Sequence, residues 1–150
     1  MIMKAKEYLS QAYRLDQRIN SKIEQVASLN DLATKATSTI SGMPHNPSRA
    51  ISTMANAVDK IIDLQTEINQ DIDKLVDLKH EIVRSIKAVG NTEYQTLLEK
   101  RYLCFMQWEQ IAVDMNYSID NVFKLHKKAL DCVTVPRTLQ KSTENYSRKL

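Results

Sequence analysis

Asp73, Asp77 and Glu81 stand four residues apart, so on a helix their carboxylates share one face, with Asp71 and His80 close by. Such a row could attract a divalent cation through oxygen ligands. Lys74 and Arg84 are interleaved with it, however, and an ordinary solvated helix face has this composition; no metal site is assigned. Cys104 and Cys132 each lack a second cysteine or histidine at zinc-like spacing and read as free cytosolic thiols. The histidines are far apart in sequence and the isolated Gly42 and Gly90 cannot build a phosphate-binding loop. No nucleophile, base and orienter stand together. The chain reads as a non-enzyme, with no cofactor.

Residues with a recognisable task lie between Trp108 and Leu130, WEQIAVDMNYSIDNVFKLHKKAL. Trp108, Ile111, Ala112 and Met115 mark a short helix, Asn116 and Tyr117 a tight turn, and Ser118 a cap for a second helix. This is a helix-turn-helix pattern. On the second helix Val122, Leu125 and Ala129 share one face, expected to pack on Leu98, Ile111, Ala112 and Met115, with Trp108 and Tyr117 closing the ends. The opposite face carries Asp120, Asn121, Lys124, Lys127, Lys128 and Asp131. Asn121 could read adenine, and the three lysines could meet phosphates or guanine edges. With the cap Ser118 and the upstream Lys100 and Arg101 they make up the expected DNA-contacting set. The alternative is that Asp120 with Lys124, and Lys127 with Asp131, are exposed helix pairs. Ile119, Phe123 and Leu130 form a lateral apolar strip that fits burial against Val133, Val135 and Leu139 or a protein partner. His126, at the edge of the core, reads as a packed, hydrogen-bonded side chain.

The elements that must carry this module are helical. Glycines and prolines occur only at Gly42, Gly90, Pro44, Pro47 and Pro136, which leaves long uninterrupted stretches. From Lys4 to Ile40 a seam of Tyr8, Ala12, Leu15, Ile19, Lys22, Val26, Leu29, Ala33, Ala36 and Ile40 advances by fours and threes, broken only by Lys22. Ser41 to Ser48 reads as a loop in which Ser48 caps a second helix. That helix has the seam Ile51, Met54, Val58, Ile61, Gln65, Ile68, Ile72, Leu75, Lys79, Ile82, Ile86 and Val89, and Gly90 stops it. Two helices of similar length across a short loop predict an antiparallel, coiled-coil-like hairpin with arms of roughly 55 Å. Ile62, Leu64, Val76, Leu78 and Val83 widen the second stripe beyond what one partner needs. The C-terminal domain, a second copy forming a homodimer, or another protein would cover them. Thr92-Glu93-Tyr94-Gln95 reads as a capping box opening a third helix to Leu103, Cys104 to Gln107 as a connection, and Gln107 as a poor cap.

The expected fold is therefore all-α. A helical hairpin takes residues 1–90, a helix-turn-helix domain 91–132, and a flexible basic tail 133–150. The net charge of +3 is unevenly distributed: residues 91–132 hold five Lys/Arg against six Asp/Glu, whereas residues 133–150 hold four against one. A slightly acidic module does not favour strong nonspecific attraction to phosphate, and the tail supplies the excess positive charge. No apolar stretch resembles a secretory signal or a membrane span, so a cytoplasmic protein with no membrane partner is expected.

Leu97 to Leu130, LLEKRYLCFMQWEQIAVDMNYSIDNVFKLHKKAL, resembles the C-terminal promoter-reading domain of sigma factors. It is more closely similar to sigma-like proteins from phages and prophages of Gram-positive bacteria. The N-terminal AKEYLSQAYRLDQRINSKIEQVASLNDLATKATSTISGMP and IIDLQTEINQDIDKLVDLKHEI are similar to the same phage family, so the resemblance spans about residues 4 to 130. Its most specific elements are Arg101-Tyr102-Leu103, Trp108-Glu109-Gln110-Ile111-Ala112, Tyr117-Ser118 and Leu125-His126. The resemblance implies regulation of phage transcription inside a bacterial host, with the second motif helix in the major groove of double-stranded DNA and contact with host RNA polymerase. The sequence departs from the pattern where DNA would be touched. Arginines usually follow the cap, and here Ile119, Asp120, Asn121 and Phe123 do, so arginine-to-guanine pairing is absent there. The competing expectation is a sigma-like module that binds a protein instead and inhibits or redirects it.

Overall fold

The structure, a computed structural model, describes residues 3–40 and 47–136, and these are helical without strands. The elements are α1 (Ala5–Ile40), α2 (Pro47–Lys87), α3 (Thr92–Leu98) with a π-helical turn at Glu99–Leu103, α4 (Trp108–Met115) and α5 (Ile119–Asp131). The all-α expectation with a long antiparallel helix pair holds. Most of the expected Ser41–Ser48 loop, and Leu139 with the rest of the tail from Arg137, lie outside the described residues. Helix α2 begins at Pro47, so Ser48 sits in the first turn and is not its cap; proline suits a first helical position because the N–H it lacks has no partner there.

The chain divides into two compact units. One is Leu15–Leu75, and the other joins the residues up to Arg14 with those from Val76 onward.

In the Leu15–Leu75 unit, Ile19 on α1 and Ala57, Ile61, Leu64 and Ile68 on α2 are buried. The α2 seam differs from expectation by one residue at alternate steps. Ala57, Leu64 and Asp71 are inside, while Val58 (44% exposed), Gln65 and Ile72 (41% exposed) are outside. Steps of three and four permit both rows, since they share Ile61, Ile68 and Leu75. The polar groups decide between them. Lys22, the one charge in the α1 seam, donates to Asp71 Oδ2 at 2.5 Å and lies 3.6 Å from Glu67. The opposite rotation would bury Gln65 in place of Leu64 and leave Lys22 without its acceptor, at the cost of an unpaired part-buried charge. The ammonium beside Asp71 holds its carboxyl below the usual carboxylate range.

In the other unit the first turns of α1 and the last turns of α2 pack with α3, α4 and α5. Its core comprises Tyr8, Leu9, Ala12, Ile82, Ile86, Leu97, Leu98, Tyr102, Ile111, Ala112, Val122 and Ala129. The Tyr8 hydroxyl lies 3.1 Å from that of Ser85, and burial pushes the Tyr8 phenol up. Gly90 ends the α2 run at φ +81, as expected of the stop. The cap of α3 is Asn91 and not Thr92: its Oδ1 accepts from the N–H groups of Glu93 (2.9 Å) and Tyr94 (3.2 Å), and Thr92 is the first helical residue. Asparagine is at least as good a cap as threonine, its amide oxygen reaching the N–H groups two and three residues on. The expected helix to Leu103 finishes in a wider turn, with Cys104 N–H donating to Glu99 C=O at 3.0 Å.

Candidate nucleic-acid interface

The helix-turn-helix geometry is built locally. Asn116 adopts the left-handed conformation (φ 61, ψ 40) and its N–H reaches back to Ala112 and Val113 carbonyls, which ends α4. Ser118 then accepts from Asn121 N–H at 3.3 Å and starts α5. Gln107 gives α4 no side-chain cap, as its type predicted. The expected core faces meet: Val122 and Ala129 on α5, Ile111 and Ala112 on α4 and Leu98 on α3 are buried, with Leu125 and Met115 half-buried.

The core also contains a polar pair. Tyr102 Oη lies 2.6 Å from His126 Nε2, and the indole of Trp108 meets the imidazole edge-on at 4.5 Å between centroids. Burial, then the nearby Lys6 and Arg101 charges, lower the His126 pKa to about 4. Burial likewise pushes Tyr102 up to about 12. Both groups are therefore neutral at pH 7, each satisfying the other where water is scarce. His126 is a core residue, as its position suggested.

The expected DNA-contacting residues fall into two groups. Asn121, Lys124, Lys127 and Lys128 are exposed on α5, and among the described residues the three lysines make no ion pair within 4 Å. The Asp120–Lys124 and Lys127–Asp131 pairs are thus not formed. Asn121, Lys124 and Lys128 border a shallow depression with Glu93 and Tyr117. Lys100 and Arg101 are otherwise engaged. Lys100 lies 3.4 Å from Asp114 Oδ2. Arg101 donates to Met106 C=O at 2.9 Å and its guanidinium rests 4.4 Å above the Trp108 ring. The Ser118 hydroxyl is occupied as the cap.

Sequence reasoning missed Glu93, which α3 brings to the lysine side of α5. There it accepts the Tyr117 hydroxyl, raising that phenol's pKa, so Tyr117 braces the flank and does not close the core. Nothing in the spacing of Glu93 announces this, because a 24-residue separation carries no period. Of the apolar strip, Ile119 is 37% and Phe123 45% exposed, while Leu130 is half-buried. Phe123 meets Trp108 edge-on at 5.4 Å, and Val135 is buried.

Among the described residues no group of three or more His, Cys, Asp or Glu is placed to hold a metal ion, and no helix is long and apolar enough to cross a membrane. A family model described as "Protein of unknown function (DUF1492)" matches residues 52–133, which take in most of α2 and all of α3 to α5. No curated protein and no solved structure matches the chain.

Proposed function

We propose, for a chain that belongs to this family of proteins of unknown function (DUF1492), that it is a sigma-like transcription regulator binding double-stranded DNA through α5. The observation that carries the reading is the unpaired, exposed set Lys124, Lys127 and Lys128 with Asn121, presented by a helix that Ser118 caps after a left-handed turn. Lysines without carboxylate partners retain their charge for phosphate, and an exposed amide can read a base edge. The resemblance of residues 97–130 to sigma-factor promoter-reading domains supports phage transcription as the setting and host RNA polymerase as a partner.

The test is an anisotropy titration of the full chain against phage promoter duplexes over a salt series. Lys124→Ala with Lys128→Ala should weaken binding and reduce the log–log salt slope by about two. Absence of binding at low salt would remove the proposal.

A second reading is favoured by the exposure of Ile119 and Phe123 beside the half-buried Leu130. That strip fits a protein partner, which the module would inhibit or redirect. It predicts nuclease-insensitive capture of a host or phage protein that Phe123→Asp abolishes; capture lost on nuclease treatment counts against it. On the hairpin, exposed Ile51, Val58, Ile62 and Ile72 support a second copy of the chain as partner. Sedimentation showing a monomer at all concentrations would exclude that.

A further inference from the structure

A cleft in the unit that carries α5 takes no part in the reading above. It has a volume of about 210 Å³ and is bordered by Lys6 and Tyr13 of α1 together with Arg101, Phe105, Gln107 and Trp108. Among the described residues no carboxylate lines it. Lys6 makes no ion pair among the described residues. The Arg101 guanidinium is fixed by the Met106 carbonyl and the Trp108 ring, and only one of its five N–H donors is used in that hydrogen bond. Gln107 is the N-cap and Trp108 the first residue of α4, and the cap side chain accepts from none of its first N–H groups, so the helix end adds partial positive charge near the cleft.

We propose that this cleft binds a phosphate group, held between the Lys6 ammonium and the Arg101 guanidinium. A pre-positioned guanidinium fork matches phosphate oxygens, and a second cation suits an anion carrying more than one charge. The volume is below the roughly 300 Å³ at which pockets for whole drug-sized ligands begin, so it admits a phosphate with a short appendage and not an extended cofactor. A cation already sits over one face of Trp108 (Arg101) and one face of Phe105 (Lys79, 4.7 Å from its centroid), and Tyr13 meets Phe105 in a T-shaped contact, so charge is the main basis of recognition. The same two cations, after burial, depress the pKa of the nearby His126, and an anion between them would offset their share of that shift. The phosphate could be free in solution or part of a DNA backbone. The proposal does not depend on the α5 reading.

The experiment follows the His126 imidazole by NMR and the fluorescence of Trp108, the chain's one tryptophan, on the full chain at constant ionic strength. Inorganic phosphate is titrated beside chloride and acetate, and a duplex without promoter sequence forms a further arm. The expected result is saturable binding of phosphate with a rise in the His126 pKa. Lys6→Gln, at an exposed position, should weaken it about tenfold or more, while Lys124→Ala with Lys128→Ala should not. If the duplex raises the His126 pKa and Lys6→Gln suppresses this, the backbone is the source; if only inorganic phosphate acts, the ligand is free. Equal responses to chloride or acetate, no saturable response, or insensitivity to Lys6→Gln in a protein of unchanged melting temperature would overturn the proposal. Because wild-type anion selectivity is itself decisive, a Lys6 variant that failed to fold would not protect it.

Discussion

Tyr102 Oη and His126 Nε2, 24 residues apart in sequence, lie 2.6 Å from each other and tie the turn after α3 to the middle of α5. The burial of His126 contributes to how this unit responds to acid. His126 titrates at about 4 when folded and near 6.5 when unfolded, so the unfolded chain binds the proton first. Its stabilisation is fully present above pH 6.5 and is lost as pH falls towards 4. The shift corresponds to roughly 3 kcal/mol at most, and screening at the accessible edge of the ring reduces this to about 2 kcal/mol. Urea denaturation at a series of pH values should show that fall, and His126→Gln should flatten it above pH 4. Tyr102→Phe strands the imidazole and should cost about 1–3 kcal/mol at pH 7.

Lys22 and Asp71 make a second prediction, in the other unit. Lys22→Met alone leaves a part-buried carboxylate without its donor and should destabilise by about 1–3 kcal/mol. Adding Asp71→Leu should recover most of the loss, because an apolar pair suits the seam. A double-mutant cycle by chemical denaturation measures the coupling, and additive losses would show that the pair does not decide the rotation of α2.

The caps separate two neighbouring residues. Asn91→Ala and Ser118→Ala should each cost about 1 kcal/mol, read from thermal or urea unfolding, because each removes an acceptor from helix N–H groups. Thr92→Ala should change little. Alanine is the better helix former at a first-turn position whose capping is done by Asn91.

Asp120 tests the orientation of α5. It is exposed in the first turn beside Ser118, where its charge favours the helix and opposes phosphate. Asp120→Asn should tighten DNA binding at low salt and leave the melting temperature within about a degree or two. Weaker binding in the titration would mean that Asp120 contacts the ligand directly.

Much of this was legible in order along the chain. Gly90, Asn116 and Ser118 placed their turns and caps because backbone conformation and capping are decided within a few residues. The buried faces of α4 and α5 followed from period alone. The rotation of α2 was not legible: Val58, Gln65 and Ile72 keep the same three-and-four steps as Ala57, Leu64 and Asp71, and a period cannot say which row meets α1. For the interface, the lysines of α5 were readable as an outward face, whereas Glu93 beside them was not.

What the sequence determined by itself was local: all-α content, the helix ends at Gly90, Asn116 and Ser118, and the two faces of the second motif helix. These rest on interactions spanning one to four residues, which spacing records directly. Only the tertiary structure decided that Arg101 lies on Trp108, that Lys6 and Arg101 share a cleft, that Lys22 answers Asp71 and that His126 is neutral. Each depends on which charges meet, or are deprived of water, across separations from seven residues to nearly a hundred. At that range attraction and desolvation are set by packing, and no repeat in the chain encodes them.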